Sequence, residues 1–116
     1  MPREADAIRV RHMVDAAHEA MRYASGQTRQ DLDRNLMAVR AIIKCLEIVG
    51  EAASKVTPHT RSQLLAVPWT DIVAMRNRLI HTYFDINLDI VWTTIEVDLP
   101  GLIAPLERWL AAHESR

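Results

Sequence analysis

The sequence predicts an all-α fold: an up-and-down bundle of four to five helices, one domain spanning residues 1–116. Three observations support this. Glycine is confined to Gly26, Gly50 and Gly101. No segment alternates apolar and polar residues long enough to make a half-buried strand. Apolar residues recur instead at three and four residues along the chain, the period of an amphipathic helix.

Each element follows from local chemistry. A first helix is predicted over about Glu4–Ala24, with Ile8, Met13, Val14, Ala17, Met21 and Ala24 as its buried stripe. Gly26, in Ser25-Gly26-Gln27, suits a left-handed C-terminal cap. A long second helix is predicted over about Gln30–Val56, burying Leu32, Leu36, Val39, Ile43, Leu46, Val49 and Ala53. Gly50 lies inside it. Glycine costs a helix about 1 kcal/mol relative to alanine, so its presence predicts close approach by another element. Thr57-Pro58 stops this helix and opens a short third one, with Thr57 as N-cap and Pro58 at the first helical position. Pro68 precedes a fourth helix, about Trp69–Tyr83. Asn87 is a natural cap for the last segment. There Leu88, Val91, Trp92, Ile95, Leu99, Leu102, Ile103, Leu106 and Leu110 keep helical spacing through Pro100 and Pro105. That predicts one helix kinked at its prolines, or two abutting pieces.

The composition is that of an ordinary soluble globular protein, 49% apolar and 25% charged. Aromatic residues are few, so aliphatic side chains must fill the core. A chain of this length has limited core volume, and association with a second copy would help it. The net charge of −1 gives no global basic field, so contact with nucleic acid must come from a local cluster. Cys45 is the only cysteine and sits in an apolar run, which predicts a small buried hydrophobe. No apolar stretch approaches a membrane span, and the charged N-terminus has no signal core. The expectation is a cytoplasmic protein without membrane attachment.

The anomaly is the run Arg76-Asn77-Arg78-Leu79-Ile80-His81-Thr82-Tyr83. At about 100° per residue, Arg76 falls amid Ile72, Leu79, Ile80 and Tyr83 on the apolar face. Asn77 and His81 share the adjoining flank, one turn apart. Such groups are costly to bury without partners. A structural account is available for each: Glu47 or Glu51 as the ion-pair acceptor for Arg76, His81 favoured by the helix dipole, Tyr83 as a rim aromatic. The functional account is a cluster facing an anion in a groove shared with another helix or subunit. Elsewhere His12, His18, His59 and His113 are scattered and read as solvated. Arg3, Arg9 and Arg11 read as a solvated face, with added phosphate contacts as the alternative. Trp92 and Trp109 fit the buried stripe or a dimer seam. There is no paired-carboxylate motif, Ser–His–Asp arrangement, Gly-rich phosphate loop or metal-ligand spacing, so neither a metal nor a cofactor is expected.

Arg76-Asn77, His81 and Tyr83, in the pattern Arg-Asn-x-x-x-His-x-Tyr, resemble the motif of the HEPN superfamily and, more narrowly, of the HepT-like toxins. Trp69 with Asp71-Ile72-Val73, Asp85-Ile86-Asn87, Asp98-Leu99-Pro100 and the earlier Val49-Gly50-Glu51-Ala52-Ala53 extend the resemblance over nearly the whole chain. The resemblance implies a metal-independent endoribonuclease, active as a homodimer whose two Arg–His motifs meet in a composite cleft. It also implies a partner, an MNT-type nucleotidyltransferase antitoxin that transfers AMP to the motif tyrosine. Arg76 and His81 would then be catalytic, Asn77 supporting, and Tyr83 the AMP acceptor. The residue types suit the chemistry. Histidine titrates near neutral pH and serves as base or acid, and arginine's planar donors match a phosphate gathering charge. A non-catalytic module that engages a nucleotidyltransferase or nucleotide is the alternative, and a purely structural helical subunit a weaker third.

Overall fold

The computed structural model describes residues 2–81 and 86–114, without the side chains of residues 2, 3, 80 and 81. Among these residues all regular structure is helical. The elements are α1 (Pro2–Ala24), α2 (Arg29–Leu32), α3 (Leu36–Ser54), α4 (Pro58–Gln63), α5 (Trp69–His81), α6 (Leu88–Thr93), a π-helical turn (Thr94–Asp98) and α7 (Leu99–Glu114). Among the described residues no helix is long and apolar enough to cross a membrane.

The core forms where α1, α3 and α7 come together. Val10, Met13, Ala17 and Ala20 of α1 are buried with Val39, Ile42, Leu46 and Val49 of α3 and with Leu99, Leu102, Leu106 and Leu110 of α7. Small alanines on α1 let the helices approach closely. Ile8 departs from expectation: it is 55% exposed, because it lies about 140° around the helix from Met13. Gly26 has φ +79°, as its capping role requires. Cys45 is buried, and desolvation, with the Glu19 carboxylate adding to it, pushes its thiol pKa up.

The predicted second helix is two. Thr28 and Asp31 form a reciprocal capping box on α2. Asn35 then starts α3 by accepting the Ala38 N–H at 3.1 Å. Such side chains compete with the backbone for its own hydrogen bonds, which breaks a continuous helix. Leu36, expected inside, opens α3 and is 61% exposed. Arg29 ties α2 to α6 through Asp89 at 2.6 Å.

Thr57 stands at the N-cap of α4 with Pro58 behind it, but its hydroxyl does not cap the helix. It donates to Asp6 of α1 instead. Arg61 of α4 donates to the carbonyls of Ala53 (2.8 Å) and Val56 (3.1 Å), closing the end of α3. The same guanidinium lies 5.3 Å from the Trp69 ring centroid. Trp69 is buried and donates its indole N–H to the Leu64 carbonyl at 3.1 Å. These contacts set where α5 begins. At the other end of the chain Asn87 caps α6, accepting from the N–H groups of Asp89 and Ile90. The path stays helical through both prolines. Ahead of Pro100 it widens into the π turn, where the Leu99 N–H bonds the Thr94 carbonyl, and Pro105 sits within α7.

Candidate active site

α5 has α3 as its principal neighbour. Trp69 is its one fully buried side chain among the described residues; Ile72, Val73, Met75, Arg76 and Leu79 are half-buried. The close approach foreshadowed by Gly50 is made by Arg76 itself. A Cβ at Gly50 would overlap the Cβ of Arg76 and come within 3.3 Å of the Ile72 carbonyl oxygen. The arginine stem therefore lies on bare helix backbone, and its guanidinium reaches the next turn of α3.

There Arg76 Nη2 donates to Glu51 Oε2. Arg76 Nη1 donates to Asn77 Oδ1 at 2.9 Å. Of the two acceptors expected, Glu51 holds the arginine, while Glu47 faces Lys44 at 3.9 Å. The other oxygen of Glu51 faces Lys55 at 3.4 Å. Arg76 Nε is buried and has no hydrogen-bond partner among the described residues. The guanidinium plane is thus fixed from two sides, and the side chain keeps 27% exposure. A planar cation held this way presents its remaining donors without losing further rotamer freedom.

Arg76 lines a groove of about 240 Å³ with Arg9 and His12 of α1 and with Lys44, Glu47, Glu51 and Lys55 along α3. The predicted bank of solvated arginines on α1 is therefore divided. Arg9 faces this groove, whereas Arg11 pairs with Glu114 at the far end of the chain. Lys44 and Lys55 had no signal in the motif; only their shared face on α3 places them here. Asn77 also borders a second cleft, with Ser54, Arg61 and Thr70. His81 is the last residue of α5, one turn beyond Asn77, and its side chain lies outside the described residues. Tyr83 lies outside them altogether. The structure thus brings Arg76 and Asn77 together, and α5 carries the backbone of His81.

The other histidines find local partners or solvent. His18 sits 3.6 Å from Glu107. His113 stacks on Trp109 at 3.9 Å and contacts its carbonyl through Nδ1. Trp109 is buried and donates to Gln63 at 2.9 Å. Among the described residues no group of three or more His, Cys, Asp or Glu side chains is placed to hold a metal ion.

Comparison with known proteins identifies the family. Residues 13–109 match the family model described as "Ribonuclease HepT-like". A protein of Caldanaerobacter subterraneus subsp. tengcongensis named "Putative RNase" is 33% identical over 78% of this chain and 81% of its own length. A "Putative RNase" of Methanocaldococcus jannaschii is 30% identical over 82% of this chain and 87% of its own. A "Probable ribonuclease HepT" of Thermococcus cleftensis is 34% identical over 59% and 62% respectively. No solved structure matches the chain. An all-helical fold, an anchored arginine ahead of an α5-terminal histidine, and a family match across most of the sequence agree: the chain belongs to the HepT-like ribonuclease family.

Proposed function

We propose that this protein is a metal-independent endoribonuclease, the toxin of a toxin–antitoxin pair, acting as a homodimer. The observation that carries the proposal is the Arg76 guanidinium. Glu51 and Asn77 fix it at the rim of a cationic groove, on the helix that ends at His81. In this reaction the ribose 2′-oxygen attacks the adjacent phosphorus as a histidine base takes its proton. The bond to the 5′-oxygen breaks as an acid returns a proton to that leaving group. The products are a 2′,3′-cyclic phosphate and a 5′-hydroxyl. Arg76 neutralises the non-bridging oxygens as charge gathers on them. Asn77, one turn before His81 and bonded to Arg76, supports the pair. Positions 76 and 81 lie about 140° apart around one helix. Two copies of the motif in one cleft supply the base, the acid and the arginine together.

Silencing follows from Tyr83. A nucleotidyltransferase antitoxin of the MNT type would join the tyrosine oxygen to the α-phosphorus of ATP, releasing pyrophosphate and the phenolic proton. AMP there adds bulk and negative charge next to the motif, opposing RNA by exclusion and repulsion.

The test is cleavage of total cellular RNA in EDTA by wild type and by His81→Ala, both confirmed folded by circular dichroism and free of AMP by mass spectrometry. Wild type should cleave and leave cyclic phosphate ends. The variant should be slower by about 100-fold or more, the loss typical of a missing acid–base group. Cleavage by neither protein would turn the assignment to a non-catalytic module that binds the nucleotidyltransferase. Direct formation of 3′-phosphate ends would overturn the chemistry.

A further inference from the structure

We propose that the groove between α1 and α3 binds the phosphodiester backbone of single-stranded RNA and leads it to Arg76, a proposal that rests on the ribonuclease function above. Four permanent cations, Arg9, Lys44, Lys55 and Arg76, line this groove against two carboxylates, Glu47 and Glu51. The whole chain carries a net charge of −1, so the groove reverses the sign of its surroundings. Lys44 and Lys55 stand roughly 16 Å apart along α3 at the helical rise, long enough for more than one phosphate. Arg9 faces them from α1 and makes no ion pair among the described residues.

The cations inside the groove already converge on a carboxylate of the chain itself. Glu51 places one oxygen on Lys55 and the other on Arg76, so two cations converge on one carboxylate. A phosphate entering there meets donors already oriented toward negative charge. Ile48 and Ala52 separate the charged residues of α3 and give the floor an apolar strip. The imidazole of His12 is the one aromatic ring lining the groove among the described residues, so successive bases have no row of stacking platforms. The contact is to the backbone, which makes it indifferent to sequence and sensitive to salt.

The experiment is fluorescence anisotropy of a labelled single-stranded RNA of mixed sequence, on full-length protein carrying His81→Ala so that nothing is cut. Arg9→Ala, Lys44→Ala and their combination are added to that background, and Arg108→Ala on α7 serves as the control outside the groove. Each groove substitution should weaken binding about 3- to 10-fold. Each should also flatten the plot of log affinity against log salt by about 0.7, the value for one lost phosphate contact on a single strand. Arg108→Ala should leave both unchanged. Glu47→Gln removes a competing carboxylate and should tighten binding, a gain that a merely structural residue would not produce.

Wild-type affinity and salt slope in the Arg9→Ala/Lys44→Ala protein would overturn the proposal. So would a loss at Arg108 equal to that in the groove, or groove-dependent binding of poly-glutamate but not of RNA. The two proposals fail separately. RNA bound through the groove by a wild type that cuts nothing would refute the ribonuclease assignment and leave this one standing. Cleavage with RNA affinity and KM untouched by the groove substitutions would do the reverse.

Discussion

Arg76 and Gly50 are a single device at the residue scale. The stem of the arginine occupies the space where any other residue at position 50 would place its Cβ, and Glu51, next in sequence, takes the charge. Gly50→Ala therefore sets two effects against each other. Alanine favours the helix by about 1 kcal/mol, but α5 must move outward, an overpacking cost of about 1–3 kcal/mol. The net expectation is a loss of up to about 2 kcal/mol in urea unfolding, with RNA cleavage falling further than stability because Arg76 shifts relative to Glu51. Gly101 is the internal control. Nothing lies within 4 Å of a Cβ built there, so Gly101→Ala should stabilise by about 0.5–1 kcal/mol and leave cleavage unchanged. Equal unfolding midpoints for the two variants would refute this account of Gly50. The sequence announced an approach at Gly50 because glycine inside an amphipathic helix is costly without one. It left Glu47 and Glu51 as equal acceptors for Arg76, since both lie on the same face of α3 and only the height of α5 along that face chooses between them.

At the scale of elements, the join between α1 and α4 depends on Asp6, which sequence reading passed over. It is 2% exposed and accepts from the Thr57 N–H at 3.1 Å and from the hydroxyls of Thr57 and Thr60, each at 2.5 Å. Burial alone would raise its pKa. The hydrogen bonds from Thr57 and Thr60 outweigh burial, and the carboxyl is held below its ordinary value of 3.8. A folded pKa below the unfolded one contributes stability that is fully present above the unfolded value. That contribution is lost as pH falls through the folded one. Asp6→Asn should therefore cost about 1–2 kcal/mol near pH 7, as expected for hydrogen bonds to a charged acceptor. The gap between variant and wild type should then close as pH drops below about 4. Urea midpoints of both proteins from pH 3 to pH 7 read this directly, and a constant gap down to pH 3 would refute it. Asp6 was illegible because an acidic residue in a first turn already has a sufficient local explanation in the helix dipole. The break at Asn35 was missed for a related reason: continuous apolar spacing across Leu32, Leu36 and Val39 masks a change of helix. By contrast Gly26 and Asn87 were legible, because each performs a local task that few residue types can perform.

The molecule as a whole is a slab of 46 × 28 × 20 Å, about two helix diameters thick. Two layers suffice to bury α1 and α3, but α5 remains at the margin with Ile72, Val73, Met75 and Leu79 only half covered. The groove follows from the same geometry. Its cations come from three helices far apart in sequence, so no local window could reveal them, whereas the Arg76–His81 motif sits in one helix and was legible at once. A second copy laid along α5 would cover its apolar margin and bring a second motif to the first. If catalysis needs that composite cleft, activity is linked to association by mass action. Specific cleavage activity per protomer should then hold constant at high concentration and fall on dilution, with its midpoint at the dimer dissociation constant measured independently by sedimentation. His81→Ala mixed in excess with wild type should lower the activity per wild-type protomer by capturing it in impaired pairs. Activity that stays constant into the range where sedimentation finds only monomer would mean that a single chain assembles base, acid and arginine unaided. The margin of α5 would then be left for a different partner.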